Sequence, residues 1–108
     1  MKKGDIYLFD LISTLGHEQS GFRPAIIVSQ ANTGMIVVIP LTTNLEALRF
    51  SYTLSILHNA LNNLTQNSVA LVFQLKSIDQ KRMKKKIGHL GDQDLAKLEK
   101  TVKDLLDF

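Results

Sequence analysis

Pro24-Ala25-Ile26-Ile27-Val28-Ser29 and, after five intervening residues, Met35-Ile36-Val37-Val38-Ile39-Pro40-Leu41-Thr42 decide the fold class. Both runs are strand-sized, rich in β-branched residues and bounded by turn formers, so they read as β-strands. Apolar side chains on consecutive positions of the first run predict burial on both faces of a sheet. Ala31-Asn32-Thr33-Gly34 supplies the turn between them. Pro40 cannot donate to a ladder, so the second strand is expected to bend or become an edge there.

Working outward, Asp5 to Asp10 reads as an earlier strand, followed by a polar loop over residues 11–22 that is long for a hairpin. Loops of that length more often carry function than merely connect. Phe50-Ser51-Tyr52-Thr53-Leu54-Ser55-Ile56 alternates apolar and polar, which predicts a half-exposed strand. Residues 57–66 read as an Asn- and Leu-rich loop, Ser68 to Leu75 as a further strand, and Lys85 to Leu90 as a last one. Asp92 is the expected N-cap of a helix whose Leu95, Leu98, Val102, Leu105 and Leu106 recur near a 3.6-residue period. Five or six short strands and one C-terminal helix predict a mainly β, small curled antiparallel barrel, one domain over residues 1–108.

Composition narrows the class. The 108 residues are 44% hydrophobic and 21% charged, ordinary for a soluble domain and unlike a disordered or fibrous chain. There is no cysteine, which excludes disulfides, thiolate metal sites and a cysteine nucleophile, and fits a cytoplasmic setting. Asp5 and Asp10 interrupt what would follow a signal-like Met1-Lys2-Lys3, so no targeting segment is expected. No apolar run approaches the ~18 residues of a membrane span. The net charge of +3 is unevenly placed. Residues 1–75 hold four basic and four acidic side chains, residues 76–91 six basic against Asp79 alone, and residues 92–108 three against five. A basic segment of that density fits a polyanionic partner, or else a solvated turn that aids solubility.

Gly16-His17-Glu18-Gln19-Ser20-Gly21-Phe22-Arg23-Pro24 concentrates the chemistry. Pro24 biases Arg23 to extended backbone, which puts its guanidinium at the opening of a strand. Arg suits phosphate recognition, His17 titrates near neutrality, and a Glu18 raised by burial could act as a base. Cleaving an RNA phosphodiester needs a base for the 2′-OH, a cation at the phosphorus oxygens and an acid for the leaving oxygen. The same residues also read as loop groups that contact only water. No metal-ligand spacing exists: His17, His58 and His89 are far apart, and no His-x-x-x-His occurs. No metal and no cofactor are expected.

Three blocks resemble the MazF/PemK (Kid) family of bacterial toxins. They are Gly4-Asp5-Ile6-Tyr7 with Gly16-His17-Glu18-Gln19 and Arg23-Pro24-Ala25; Val38-Ile39-Pro40-Leu41-Thr42-Thr43; and Gln74-Leu75-Lys76-Ser77-Ile78-Asp79 with Gly88-His89-Leu90. The resemblance runs from about residue 3 to residue 107. It implies an SH3-like β-barrel with a C-terminal helix, shared with the gyrase-poisoning CcdB toxins. It implies a homodimeric, metal-independent endoribonuclease that cuts single-stranded mRNA at a short sequence, with a cognate antitoxin that fills the RNA grooves, and no membrane partner. It implies Arg23 and Thr42 as catalytic residues, with Glu18 and His17 as further candidates, and Gln19, Thr43, Gln74 and Lys76 as RNA contacts.

Two positions depart from the family pattern. Many members carry an acid before the Gln of the third block, where this chain has Phe73, and the PemK/Kid branch has an Arg two residues before that acid, where this chain has Leu71. A mechanism built on that Arg–acid pair cannot operate here. Phe73 instead reads as a stacking platform for a base or as a core residue. Two alternatives stay open beside the ribonuclease: a gyrase inhibitor on the same fold, for which Leu106 and Phe108 speak, and a catalytically inactive relative that still binds RNA or antitoxin.

Overall fold

The computed structural model describes residues 1–11 and 21–107. Seven strands form one antiparallel sheet: β1 Asp5–Leu11, β2 Gly21–Gln30, β3 Met35–Thr42, β4 Thr53–Ile56, β5 Ser68–Leu71, β6 Lys76–Asp79 and β7 Met83–His89. A 15-residue helix, α1, follows over Asp92–Leu106. Strand order runs β4-β5-β3-β2-β1-β7, with β6 also paired to β3. The curled sheet and helix fit a body of 32 × 31 × 30 Å. No described helix is long and apolar enough to cross a membrane.

The central hairpin behaves as its residues dictate. Ala25, Ile26 and Ile27 are all buried, so β2 is covered on both faces. Ile26, Ile39 and Leu41 join a larger core with Ile56, Val72 and Leu98 of α1. Ala25, Ile27, Ile36 and Val38 join a smaller one around Phe9. Each fully buried Ile contributes roughly 1.5–3 kcal/mol, so the hairpin anchors two separate cores.

At Pro40 β3 is paired on one side only, a local edge as expected. Pro40 is buried and pairs with Ala25 on one side. On the other side β3 pairs with β6 from Met35 to Val38 and with β5 at Leu41 and Thr42, so Ile39 and Pro40 fall between the two ladders. A missing N–H costs no rung on that edge.

The sequence expectation undercounted the strands. Lys76–Asp79 forms β6 despite its charge, because Ile36 opposite Ile78 gives it an apolar anchor. The Ser68–Leu75 segment leaves the strand at Leu71 and turns through a 3-10 helix over Val72–Gln74. The alternating run from Phe50 starts its strand only at Thr53, since Tyr52 has a left-handed backbone (φ 58°) that no ladder accepts. A 3-10 helix over Leu45–Arg49 precedes it. Gly91, not Asp92, occupies the N-cap of α1; Asp92 and Asp94 stand in its first turn, where the helix dipole favours acids.

The Gly4-Asp5 motif is a structural hub. The Asp5 carboxylate, 2% exposed, accepts the Lys2 N–H at 2.9 Å and faces Lys86 Nζ at 3.5 Å. The Gly4 N–H donates to Ile27 and its carbonyl accepts from Leu90. This knot ties the chain start to β2 and to the entry of α1.

Candidate functional site

Strand register places the expected residues. Arg23 of β2 stands opposite Phe9 of β1, and Ala25 opposite Pro40 of β3. Carrying that register two residues outward sets Arg23 across from Thr42. Side chains alternate between faces, so Arg23, Ala25, Pro40 and Thr42 share the face that holds the Phe9 core. Lys76 opposes Val38 and therefore lies on that face too. The exposed Arg23 and the half-buried Thr42 thus fall on one face near one end of the sheet, at the margin of the Phe9 core.

Thr42 ends β3 opposite Val69. Its Oγ1 accepts the Asn44 N–H at 3.2 Å, and Asn44 Oδ1 in turn caps the following 3-10 helix through the Glu46 N–H at 3.1 Å. A hydroxyl has one donor and two acceptor sites. One acceptor site of the Thr42 hydroxyl is thus engaged by Asn44. Thr43 is exposed just beyond the strand.

Phe73 and Gln74 lie in the 3-10 helix at the corner where β3 changes partner, and both are exposed. Phe73 is 41% exposed, which removes the core reading of this residue. His17, Glu18 and Gln19 lie outside the described residues, as does Phe108. His58 is exposed, its backbone N–H held by Asn67, and the exposed His89 keeps Nδ1 3.2 Å from the Leu90 carbonyl oxygen. Among the described residues no three His, Cys, Asp or Glu side chains form a metal-sized group.

The basic segment is a surface of β6, β7 and the turn between them. Lys76, Lys81, Lys84, Lys85 and Lys86 are exposed, while Arg82 is half-buried and donates to the Asp10 carbonyl at 3.3 Å. Beside it a cleft of about 340 Å³ is lined by Leu8, Pro24, Leu64 and Ile87 together with Lys85 and Lys86.

Sequence reasoning missed the surroundings of Phe73. Its ring meets Phe50 edge to face, with centroids 6.0 Å apart at 61°. Arg49 lies 5.1 Å over the Phe50 ring, and the Tyr52 carbonyl accepts the Phe73 N–H at 3.1 Å. The alternation of residues 50–56 hid this: it grouped Phe50 and Tyr52 with Leu54 and Ile56 on one buried side, whereas the first two are about half exposed.

Comparison with known proteins is consistent along the whole chain. The family described as PemK-like, MazF-like toxin of type II toxin-antitoxin system matches residues 2–106. The curated protein Endoribonuclease MazF of Staphylococcus saprophyticus is 29% identical over 107 residues, covering 94% of this chain and 88% of its own. A chain of the MazE-MazF (Form-II) crystal structure from Deinococcus radiodurans superposes with a TM-score of 0.77 at 23% identity, covering 100% of this chain and 96% of that one. The Mycobacterium tuberculosis toxin MazF-mt6 does so at 0.75 and 19%, covering 96% and 97%.

Proposed function

The chain belongs to the PemK-like, MazF-like toxins of type II toxin-antitoxin systems, and from that premise we propose that it is an endoribonuclease cutting single-stranded mRNA without a metal ion. The curated relative named Endoribonuclease MazF supports the activity. The observation that supports the mechanism is the pairing of Ala25 with Pro40, which, carried two residues outward, brings Arg23 and Thr42 to one face near the sheet's end.

The RNA's own 2′-OH attacks the adjacent phosphorus, the bond to the 5′ oxygen breaks, and the products are a 2′,3′-cyclic phosphate and a 5′-hydroxyl end. Arg23 stabilises the charge gathering on the phosphorus oxygens, and Thr42 donates its hydroxyl hydrogen to one of them. His17 or Glu18 exchanges protons with the attacking and leaving oxygens. Gln19, Thr43, Gln74 and Lys76 hold the strand. The protein works as a cytoplasmic homodimer, and a cognate antitoxin with an acidic segment blocks the same surface; the MazE-MazF structure superposed here supports such a partner.

The test is incubation of the purified protein in EDTA with a long mixed-sequence RNA, followed by mapping of the cut ends. Cuts at one short motif, slowed about a hundredfold or more in Arg23→Ala and Thr42→Ala, are expected. Intact RNA in the presence of folded protein, or an Arg23→Ala variant that cuts as fast as wild type, would sink the proposal. A gyrase supercoiling assay would then be the next measurement.

A further inference from the structure

We infer that Phe50, Tyr52 and Phe73, with Arg49 beside them, form one recognition site for an unpaired nucleobase of the RNA. The inference rests on the ribonuclease reading and adds to it residues that hold a base of the bound strand.

Three exposed aromatic side chains converge here: Phe50 is 50% exposed, Tyr52 42% and Phe73 41%. Solvent exposure of one such ring is ordinary, but Phe50 and Phe73 are packed ring on ring and Tyr52 is tied to Phe73 through its backbone carbonyl, which makes a built surface. The edge-to-face packing of Phe50 on Phe73 fixes the two rings relative to each other and leaves ring surface open to a flat partner. Stacking on an aromatic face accepts any base, and a neighbouring guanidinium adds attraction for both base and phosphate. Arg49 supplies that guanidinium and takes part in none of the ion pairs among the described residues.

The backbone shows that the arrangement is held rather than incidental. Tyr52 adopts φ 58°, a conformation costly for a bulky side chain, and from it offers its carbonyl to the Phe73 N–H. Thr53 Oγ1 fixes the same corner by donating to the Phe50 carbonyl at 2.9 Å. The corner is also tied to the reacting end of the sheet, since Thr42, Asn44 and the capped 3-10 helix lead straight into Arg49 and Phe50. The rival occupant is a second protein surface, for which the exposed Leu45 and Leu48 nearby would serve. A cation over a ring beside a phosphate-binding end favours nucleic acid.

The experiment measures binding of a fluorescein-labelled, fully 2′-O-methylated single-stranded RNA of mixed sequence, which the enzyme cannot cut. Phe50→Ala and Phe73→Ala are expected to weaken binding about tenfold each, Phe73→Leu to weaken it as much, and Phe73→Trp to restore it. The double alanine variant should lose less than the product of the singles, because one base uses both rings. Sedimentation of every variant is recorded alongside. Phe73→Leu binding as tightly as wild type overturns the inference, because apolar packing alone would then suffice. A changed sedimentation state with unchanged RNA affinity overturns it in favour of a protein interface. If wild type cuts RNA and the alanine variants bind and cut like it, the inference fails while the ribonuclease reading stands. If wild type neither binds nor cuts RNA, both fail.

Discussion

The Asn62 carboxamide and the Gly88 backbone close the loop 57–66 onto the last strand from two sides. Inside the loop, Asn62 Oδ1 accepts the N–H groups of Asn59 and Leu64, and its Nδ2 donates to the Leu57 carbonyl. Outside it, the Leu61 and Asn62 carbonyls press on Gly88 so closely that a Cβ there would lie 2.5 and 2.6 Å away. The Leu61 carbonyl also accepts the His89 N–H, and Asn63 Nδ2 reaches the Ile87 carbonyl. A segment without regular structure is thereby tied to the last strand by backbone and side-chain hydrogen bonds.

Gly88→Ala should therefore destabilise the fold by about 1–3 kcal/mol, because the added methyl meets backbone rather than a side chain that can move aside. Urea unfolding measures it. A variant as stable as wild type would show that the loop yields freely.

Asn62 is fully buried, and both polar atoms of its side chain are engaged with backbone. Asn62→Ala strands two N–H groups and one carbonyl, and should cost roughly 1–3 kcal/mol or more. Asn62→Asp keeps both acceptor contacts but sets a buried carboxylate oxygen against the Leu57 carbonyl, so at neutral pH it should cost at least as much as Asn62→Ala. The order of the two midpoints in denaturant decides.

Tyr52→Gly and Tyr52→Ala both remove the ring, but only glycine is at ease at φ 58°. The glycine variant should be the more stable by about 1 kcal/mol. Equal stabilities would mean that the left-handed turn relaxes once the ring is gone.

Neutralising Lys84, Lys85 and Lys86 tests the basic strand. If all three meet phosphates, the slope of log affinity against log salt for single-stranded RNA should fall by about 2, at roughly 0.7 per contact. An unmoved slope would reduce the cluster to a solvated face. Lys86 alone should also cost a little stability, since it faces the buried Asp5 carboxylate.

The strands at the heart of the sheet were legible because their apolar runs obey one rule on both faces. Met35–Thr42 matches its expected bounds, and α1 differs only at its cap. Three features were not legible. The basic residues 76–79 conceal a strand whose only apolar anchor is Ile78. Tyr52 breaks a perfect alternation with one backbone angle, which no side-chain pattern encodes. Strand β5 stops at Leu71, although the residues that follow keep a strand-like composition, because Val72 turns into the core beneath α1. For the site, Arg23 and Thr42 were visible as residues, but their placement on one face depends on register. The aromatic corner was invisible, since Phe50 and Phe73 are distant in sequence.

The gap that β3 leaves at Ile39 and Pro40 gives the molecule a division of labour. On either side of it, ladders commit each residue to a partner. The 3-10 residues Val72–Gln74 cross the gap bound to neither ladder, with Val72 alone anchored in the core. Exchanging the outward pair Phe73 and Gln74 therefore disturbs neither register nor core. This corner can change its exposed side chains while the fold stays untouched.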